Sequence, residues 1–120
     1  MITDYLVTHP EEPHALAWAT IEESPAGGFN TWSAPYGGWT GPGHAYYGQV
    51  VAHPYWRPDE RSARGAALDM CLEWIDQARA DGDGGYVIQV SDGAWVIAEL
   101  DEHGREVVGY DDRSGYWTAR

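Results

Sequence analysis

The strongest constraint on the fold is one long helical signal, from about Pro58 to Ala80, in a chain otherwise broken up by glycine and proline. Pro58 suits a first helical position. Asp59 and Glu60 fall in the first turn, where the helix dipole favours acids, and Arg79 followed by Gly82 marks the far end. Ala63, Ala67, Met70, Cys71, Trp74 and Ala78 recur at helical spacing, and Leu68, Leu72 and Ile75 widen the apolar arc past half the circumference. So wide an arc needs more than a flat sheet against it. Either the N-terminal segment or a partner covers its flank.

The remaining segments read as strands. Tyr86–Ser91, Asp92-Gly93 and Ala94–Leu100 have the form of a hairpin closed by a type I′ turn. That turn pairs Val90 with Trp95 and Ile88 with Ile97. Both faces of the hairpin are apolar, which predicts a central position covered on both sides. Asp101–Gly104 turns the chain into Glu106–Tyr110, and Asp111–Gly115 leads to Tyr116-Trp117, completing a three-stranded meander. Upstream, Ala15–Glu23 reads as a strand. Thr8 with Glu11 has the form of a helix capping box, but Pro10 and Pro13 crowd such a helix, and Ser24–Gly28 followed by Phe29–Ser33 fits a hairpin. Tyr46–His53, rich in aromatic and β-branched residues, reads as a further strand. The sum is a single α+β domain over residues 1–120: N-terminal strands, one long helix and a C-terminal three-stranded meander in a mainly antiparallel sheet.

Nineteen Asp and Glu against seven Arg and no Lys give a formal charge of −12, alongside seven Trp and eight Tyr. Such a field argues against contact with phosphate or anionic lipid and favours a basic partner. A Lys-free composition is also what a GC-rich genome writes, and acidic proteins accompany salt adaptation. Placement therefore carries more information than total charge. Residues 1–56 hold five acids and no Arg (−5), and residues 57–120 hold fourteen acids and seven Arg (−7). On the helix, Asp69, Glu73 and Asp76 form a stripe opposite the apolar arc, with no Arg on it. The meander places Asp81, Asp83, Asp101 and Glu102 at the helix C-terminal end, and Asp92, Asp111 and Asp112 near Asp59 and Glu60 at the other. A row of spaced carboxylates imitates a row of phosphates, the device of proteins that occupy the nucleic-acid channel of a nuclease, restriction or CRISPR system. A solvated helix face is the plain alternative.

Motifs for chemistry are weak. Cys71, the only cysteine, excludes an intramolecular disulfide or a multi-cysteine zinc site, and it lies on the apolar helix face. Asp81-Gly82-Asp83-Gly84 opens like a calcium loop, but Tyr86 and Asp92 stand where the pattern wants Gly and Glu. His9 and His14 flank a Pro-stiffened acidic turn without a third ligand at metal spacing, and His44 and His53 flank one segment without converging. Ser24, Ser33 and Ser62 lack a nucleophile elbow, and the Gly-rich 34–43 loop lacks the Lys of a phosphate loop.

These residues predict a non-enzymatic protein-binding module with no cofactor and no metal. Its partner is a basic protein surface of a nucleic-acid-handling target, not nucleic acid or membrane itself. The expected contacts are Asp69, Glu73, Asp76, Asp101, Glu102, Asp111 and Asp112 for charge, with Tyr36, Trp39 and Trp56 as aromatic anchors. One alternative is a carbohydrate or small-ligand binder that stacks sugars on Tyr36, Trp39, Tyr46, Tyr47, Tyr55 and Trp56. Another is an immunity protein that neutralises a toxin. With no apolar run near ~20 residues and no basic-then-apolar leader, the expected location is the cytoplasm.

Overall fold

A strand buried on both faces needs apolar or fully bonded side chains, and the middles of the first two strands, residues 4–7 and 16–21, meet that condition. The computed structural model describes residues 1–35, 37–47, 55–81, 93–111 and 118–119. β1 (Ile2–His9) and β2 (Glu12–Glu23) pair antiparallel, Tyr5 opposite Ala19 and Leu6 opposite Trp18. β3 (Phe29–Pro35) and the short β4 (Tyr55–Arg57) extend the sheet on one side. β5 (Val96–Leu100), β6 (Glu106–Asp111) and β7 (Thr118–Ala119) extend it on the other. Among the described residues the result is one seven-stranded sheet in the order β4-β3-β2-β1-β5-β6-β7, with antiparallel pairing throughout. The α+β class, the mainly antiparallel sheet and the single long helix agree with the sequence reading.

The helix α2 (Glu60–Asp81) lies on one face of this sheet. Its Ala63, Ala67, Leu68, Cys71, Ile75 and Ala78 pack on Tyr5, Val7, Ala17, Ala19, Ile21 and Ile97. Small side chains on both surfaces leave room for the helix to seat closely. Cys71 is fully buried there, its thiol donating to the Trp18 carbonyl at 3.4 Å, and burial pushes that thiol far up from its ordinary pKa. Pro58 precedes the helix and Asp59 caps it. The Asp59 carboxylate accepts from Ser62 N at 2.8 Å, and its carbonyl accepts from Ala63 N at 3.0 Å. The helix thus begins two residues later than the sequence suggested, because an Asp that can satisfy an orphan N–H outranks a Pro that merely tolerates the position.

The opposite face is covered by residues 37–47, including the one-turn helix α1 (His44–Tyr47). Trp18, Trp32, Ala34, Ala45 and Leu100 form this second core, with Leu6, Trp39 and Tyr46 against it. The expected strand over Tyr46–His53 is therefore corrected at its start: Tyr46 and Tyr47 are helical, and residues 48–54 lie outside the described residues. The cause is Asp4. Its buried carboxylate accepts from Gly43 N at 3.0 Å, and Thr20 Oγ1 accepts from Ala45 N at 3.0 Å, so the chain is bent onto the sheet by backbone N–H groups at the start of α1.

Two further expectations concern β5. Ile97 lies between Val7 on β1 and Tyr110 on β6, and Ile88, its expected partner, lies with the rest of residues 86–91 outside the described residues. The polarity of the helix against β5 is reversed. Arg79, in the last helical turn, stands 5.6 Å from the Trp95 ring at the entry to β5, whereas Glu60 lines one cleft with Asp101 and Glu102 at its exit. The Asp101–Gly104 turn thus sits at the helix N-terminus, where the dipole favours acids. β5 itself pairs with β1 on one side and β6 on the other.

Candidate functional site

Asp69, Glu73 and Asp76 are all exposed on the outer side of α2, as their spacing predicted. At the rise of an α-helix they step along the axis by about 6 Å and then about 4.5 Å. Asp76 is not bare of counter-charge: Arg79 approaches it at 3.5 Å, one turn on. The pair is open to water and contributes little stability.

Glu73 also belongs to a groove. Between α2 and the β3–β4 end of the sheet runs a cavity of about 260 Å³, lined by Ser33, Tyr55, Met70, Glu73, Trp74 and Gln77. Its walls are fixed from below. Trp74 Nε1 donates to Ser33 Oγ at 2.9 Å. Thr31 Oγ1 donates to the Tyr55 carbonyl at 2.8 Å, with the Met70 sulfur 3.7 Å away. Thr31 pairs with Tyr55 in the ladder, which puts the Tyr55 ring on the helix side of the sheet. Tyr55 remains 53% exposed, and the Arg57 guanidinium stands 5.4 Å from its ring centre.

The other expected contacts are distributed elsewhere. Trp56 is 51% exposed on the opposite face, lying over the Gly27-Gly28 turn with its indole donating to the Gly27 carbonyl at 3.0 Å. Trp39 is partly buried; its indole donates to Asp4 at 3.0 Å and its ring lies over Gly104. Asp101 is a turn former: it accepts from Arg105 N at 2.9 Å, His103 N at 2.8 Å and Arg105 Nε at 3.0 Å. Those bonds, the Arg105 amide first, hold its carboxyl below the usual range. Glu102 beside it is exposed and meets His103 at 3.4 Å. Tyr36 and Asp112 lie outside the described residues, as does the side chain of Asp111.

Asp101 and Glu102 share a second cleft of about 480 Å³ with Thr3, Asp4, Glu60 and Glu99. Behind it the fully buried Tyr5 hydroxyl lies 3.4 Å from Glu60 and 3.5 Å from Glu99. Burial first, then these two carboxylates, raise the Tyr5 pKa far above its ordinary value.

His9 and His44 are both held by hydrogen bonds. His9 accepts from Glu11 N at Nδ1 and donates from Nε2 to the Gly93 carbonyl at 2.9 Å, with its ring T-shaped against Trp95. His44 Nδ1 accepts from Thr40 N at 3.1 Å, and burial lowers the His44 pKa against the pull of Asp4. Among the described residues no three His, Cys, Asp or Glu side chains are grouped to hold a metal ion. No helix among them is long and apolar enough to cross a membrane.

Sequence reasoning placed Met70 and Trp74 in the core and missed that they wall a groove. The signal is present: Met70, Trp74 and Gln77 follow helical spacing along the flank of the apolar arc, next to Glu73. Asp4 was also missed, since a lone acid in an N-terminal segment gives no sign that it will be buried. Comparison with family models, curated proteins and solved structures finds no match.

Proposed function

We propose that this chain is a non-enzymatic protein-binding module whose α2 face engages a basic protein surface. The observation that carries the reading is the double position of Glu73. It stands in the middle of the exposed acidic stripe and lines the groove formed with Tyr55, Met70 and Trp74, so charge and aromatic surface form one patch. Apolar anchors ringed by complementary charge are the usual composition of a specific interface.

The target class that fits is a protein whose own surface binds nucleic acid. Such surfaces present spaced Arg and Lys, and Asp69, Glu73 and Asp76 offer a fixed row of anions without the cost of ordering a flexible chain. Occupying that surface makes the chain an inhibitor of nucleic-acid binding. The Trp surplus gives less support to sugar stacking. Among the described residues Trp18, Trp39, Trp56 and Trp74 each commit the indole N–H to an internal acceptor, and Trp32 and Trp95 are buried.

The test begins with crosslinking in cells that express the chain, followed by purification of the captured protein. The chain should then compete with duplex DNA for that protein, with an affinity that falls as salt rises. Asp69→Arg, Glu73→Arg and Asp76→Arg together should abolish competition while leaving the urea midpoint within the range of a surface variant. Unchanged competition by the triple variant rejects the reading.

A further inference from the structure

We infer that the groove beside Glu73 is a socket for a single arginine side chain presented by the basic partner; this rests on the binding role of the α2 face proposed above. Three features define the ligand chemistry. Glu73 provides a carboxylate at the rim, with Asp69 and Asp76 one turn away on either side, so the local potential selects a cation. Tyr55 provides a half-exposed ring, and a planar guanidinium stacks on such a face better than a compact, strongly hydrated ammonium. Met70 and Trp74 provide apolar wall for the methylene stem of a long cationic side chain, whose head stays near water.

The size fits one side chain. At about 260 Å³ the groove falls below the roughly 300–1,000 Å³ of pockets that enclose a drug-sized molecule. It is also built rather than incidental. The Trp74–Ser33 bond and the Thr31–Tyr55 bond tie the two walls to the same strand, β3, so the gap between helix and sheet edge is set by the fold. The chain's own Arg57, 5.4 Å from the Tyr55 ring centre, shows that this ring accepts a guanidinium; Arg57 itself does not line the groove.

The experiment uses the full chain labelled with nitrogen-15 and three probes at low salt: acetyl-Gly-Arg-Gly-amide and its lysine and citrulline counterparts. The arginine peptide should shift the amides of Ser33, Tyr55, Met70, Glu73 and Gln77 and the Trp74 indole, saturably, while those of Glu99, Asp101 and Glu102 stay put. The lysine peptide should bind more weakly and the citrulline peptide should not bind. Glu73→Gln and, separately, Tyr55→Val should each weaken the arginine peptide by about 3- to 10-fold, the loss expected for one partly solvated ion pair or one cation–π contact. Both residues are exposed, so an unchanged urea midpoint verifies the fold of each variant.

Citrulline binding as well as arginine overturns the socket, and so do shifts spread evenly over all acidic regions or insensitivity to both substitutions. If the peptide fails while the charge-reversed triple variant still loses its partner, the acidic face stands and the socket falls. If the triple variant also keeps its partner, both fall.

Discussion

The Asp4 carboxylate holds the second layer of the protein on the sheet, and removing it should be the most damaging single change outside the apolar core. Asp4 is 5% exposed and accepts from Thr20 Oγ1 at 2.8 Å, Trp39 Nε1 at 3.0 Å and Gly43 N at 3.0 Å. Hydrogen bonds to a charged group contribute about 1.5–3 kcal/mol each, so three sum to roughly 4–9 kcal/mol. Two effects offset part of this. The variant no longer buries a charge, and Asp4 lines the 480 Å³ cleft, through which water can reach the abandoned donors. A net loss of about 3–5 kcal/mol remains for Asp4→Ala, from a total near 6–18 kcal/mol for a chain of this length. With a urea slope of about 1–3 kcal/mol per molar, the midpoint should fall by about 1–5 M. Asp4→Asn should be nearly as damaging despite its shape, because the new amide NH₂ aims a donor at groups that are themselves donors. Trp39→Phe should cost much less in the Asp4→Ala background than in the native chain, since the shared bond is already lost. A loss below about 1 kcal/mol for Asp4→Ala, or strict additivity with Trp39→Phe, refutes this account of how the second layer is anchored.

Other consequences follow from the same geometry. Gly104→Ala should destabilise by about 2 kcal/mol or more and shift Trp39 fluorescence, because a Cβ there lies 2.6 Å from the Trp39 ring at a φ of +78°; Gly38→Ala, with open space around it, should be near neutral in the same melts. Stability should fall with pH in two steps. The lowered His44 pKa gives a contribution complete above the unfolded value near 6.5 and lost as pH drops through the folded value, and lowered Asp59 and Asp101 add a second loss below about 4. His44→Gln should remove the first step alone. On the alkaline side the raised Cys71, Tyr5 and Tyr110 pKa values mean that the unfolded chain ionises first, so stability should decline above about pH 9. The Cys71 thiol should react with an aromatic disulfide reagent no faster than the chain unfolds; fast labelling in native buffer contradicts its burial.

How far the fold was legible depended on whether its determinants are local. α2 was readable because 22 residues repeat one period with Arg79 in the last turn, and the β2–β3 hairpin because Pro25, Gly27 and Gly28 mark its turn. β1 was not. Ile2–His9 has no alternation to detect, since Tyr5 and Val7 face the helix while Leu6 faces the second core, and Asp4 interrupts the apolar run. Tyr46 and Tyr47 have strand propensity, but the acceptors at Asp4 and Thr20 select a helical turn, a tertiary choice that propensity cannot anticipate. The pairing of β5 with β1 was missed for the same reason. The acidic stripe was legible from spacing alone. The groove was not, since Tyr55 reaches Met70 and Trp74 only through the β3–β4 pairing.

The central claim is that stripe and groove act together on a basic protein. It is tested most directly by the affinity of the purified target for a variant combining Asp69→Asn, Glu73→Gln and Asp76→Asn, against one combining Glu99→Gln and Glu102→Gln at the other acidic cleft. Interface charges of this kind contribute about 0.5–1 kcal/mol each, so the first variant should bind about 10- to 100-fold more weakly and with a shallower salt dependence. The second should bind like the native chain. Equal affinity for both variants, or loss confined to the second, contradicts the account.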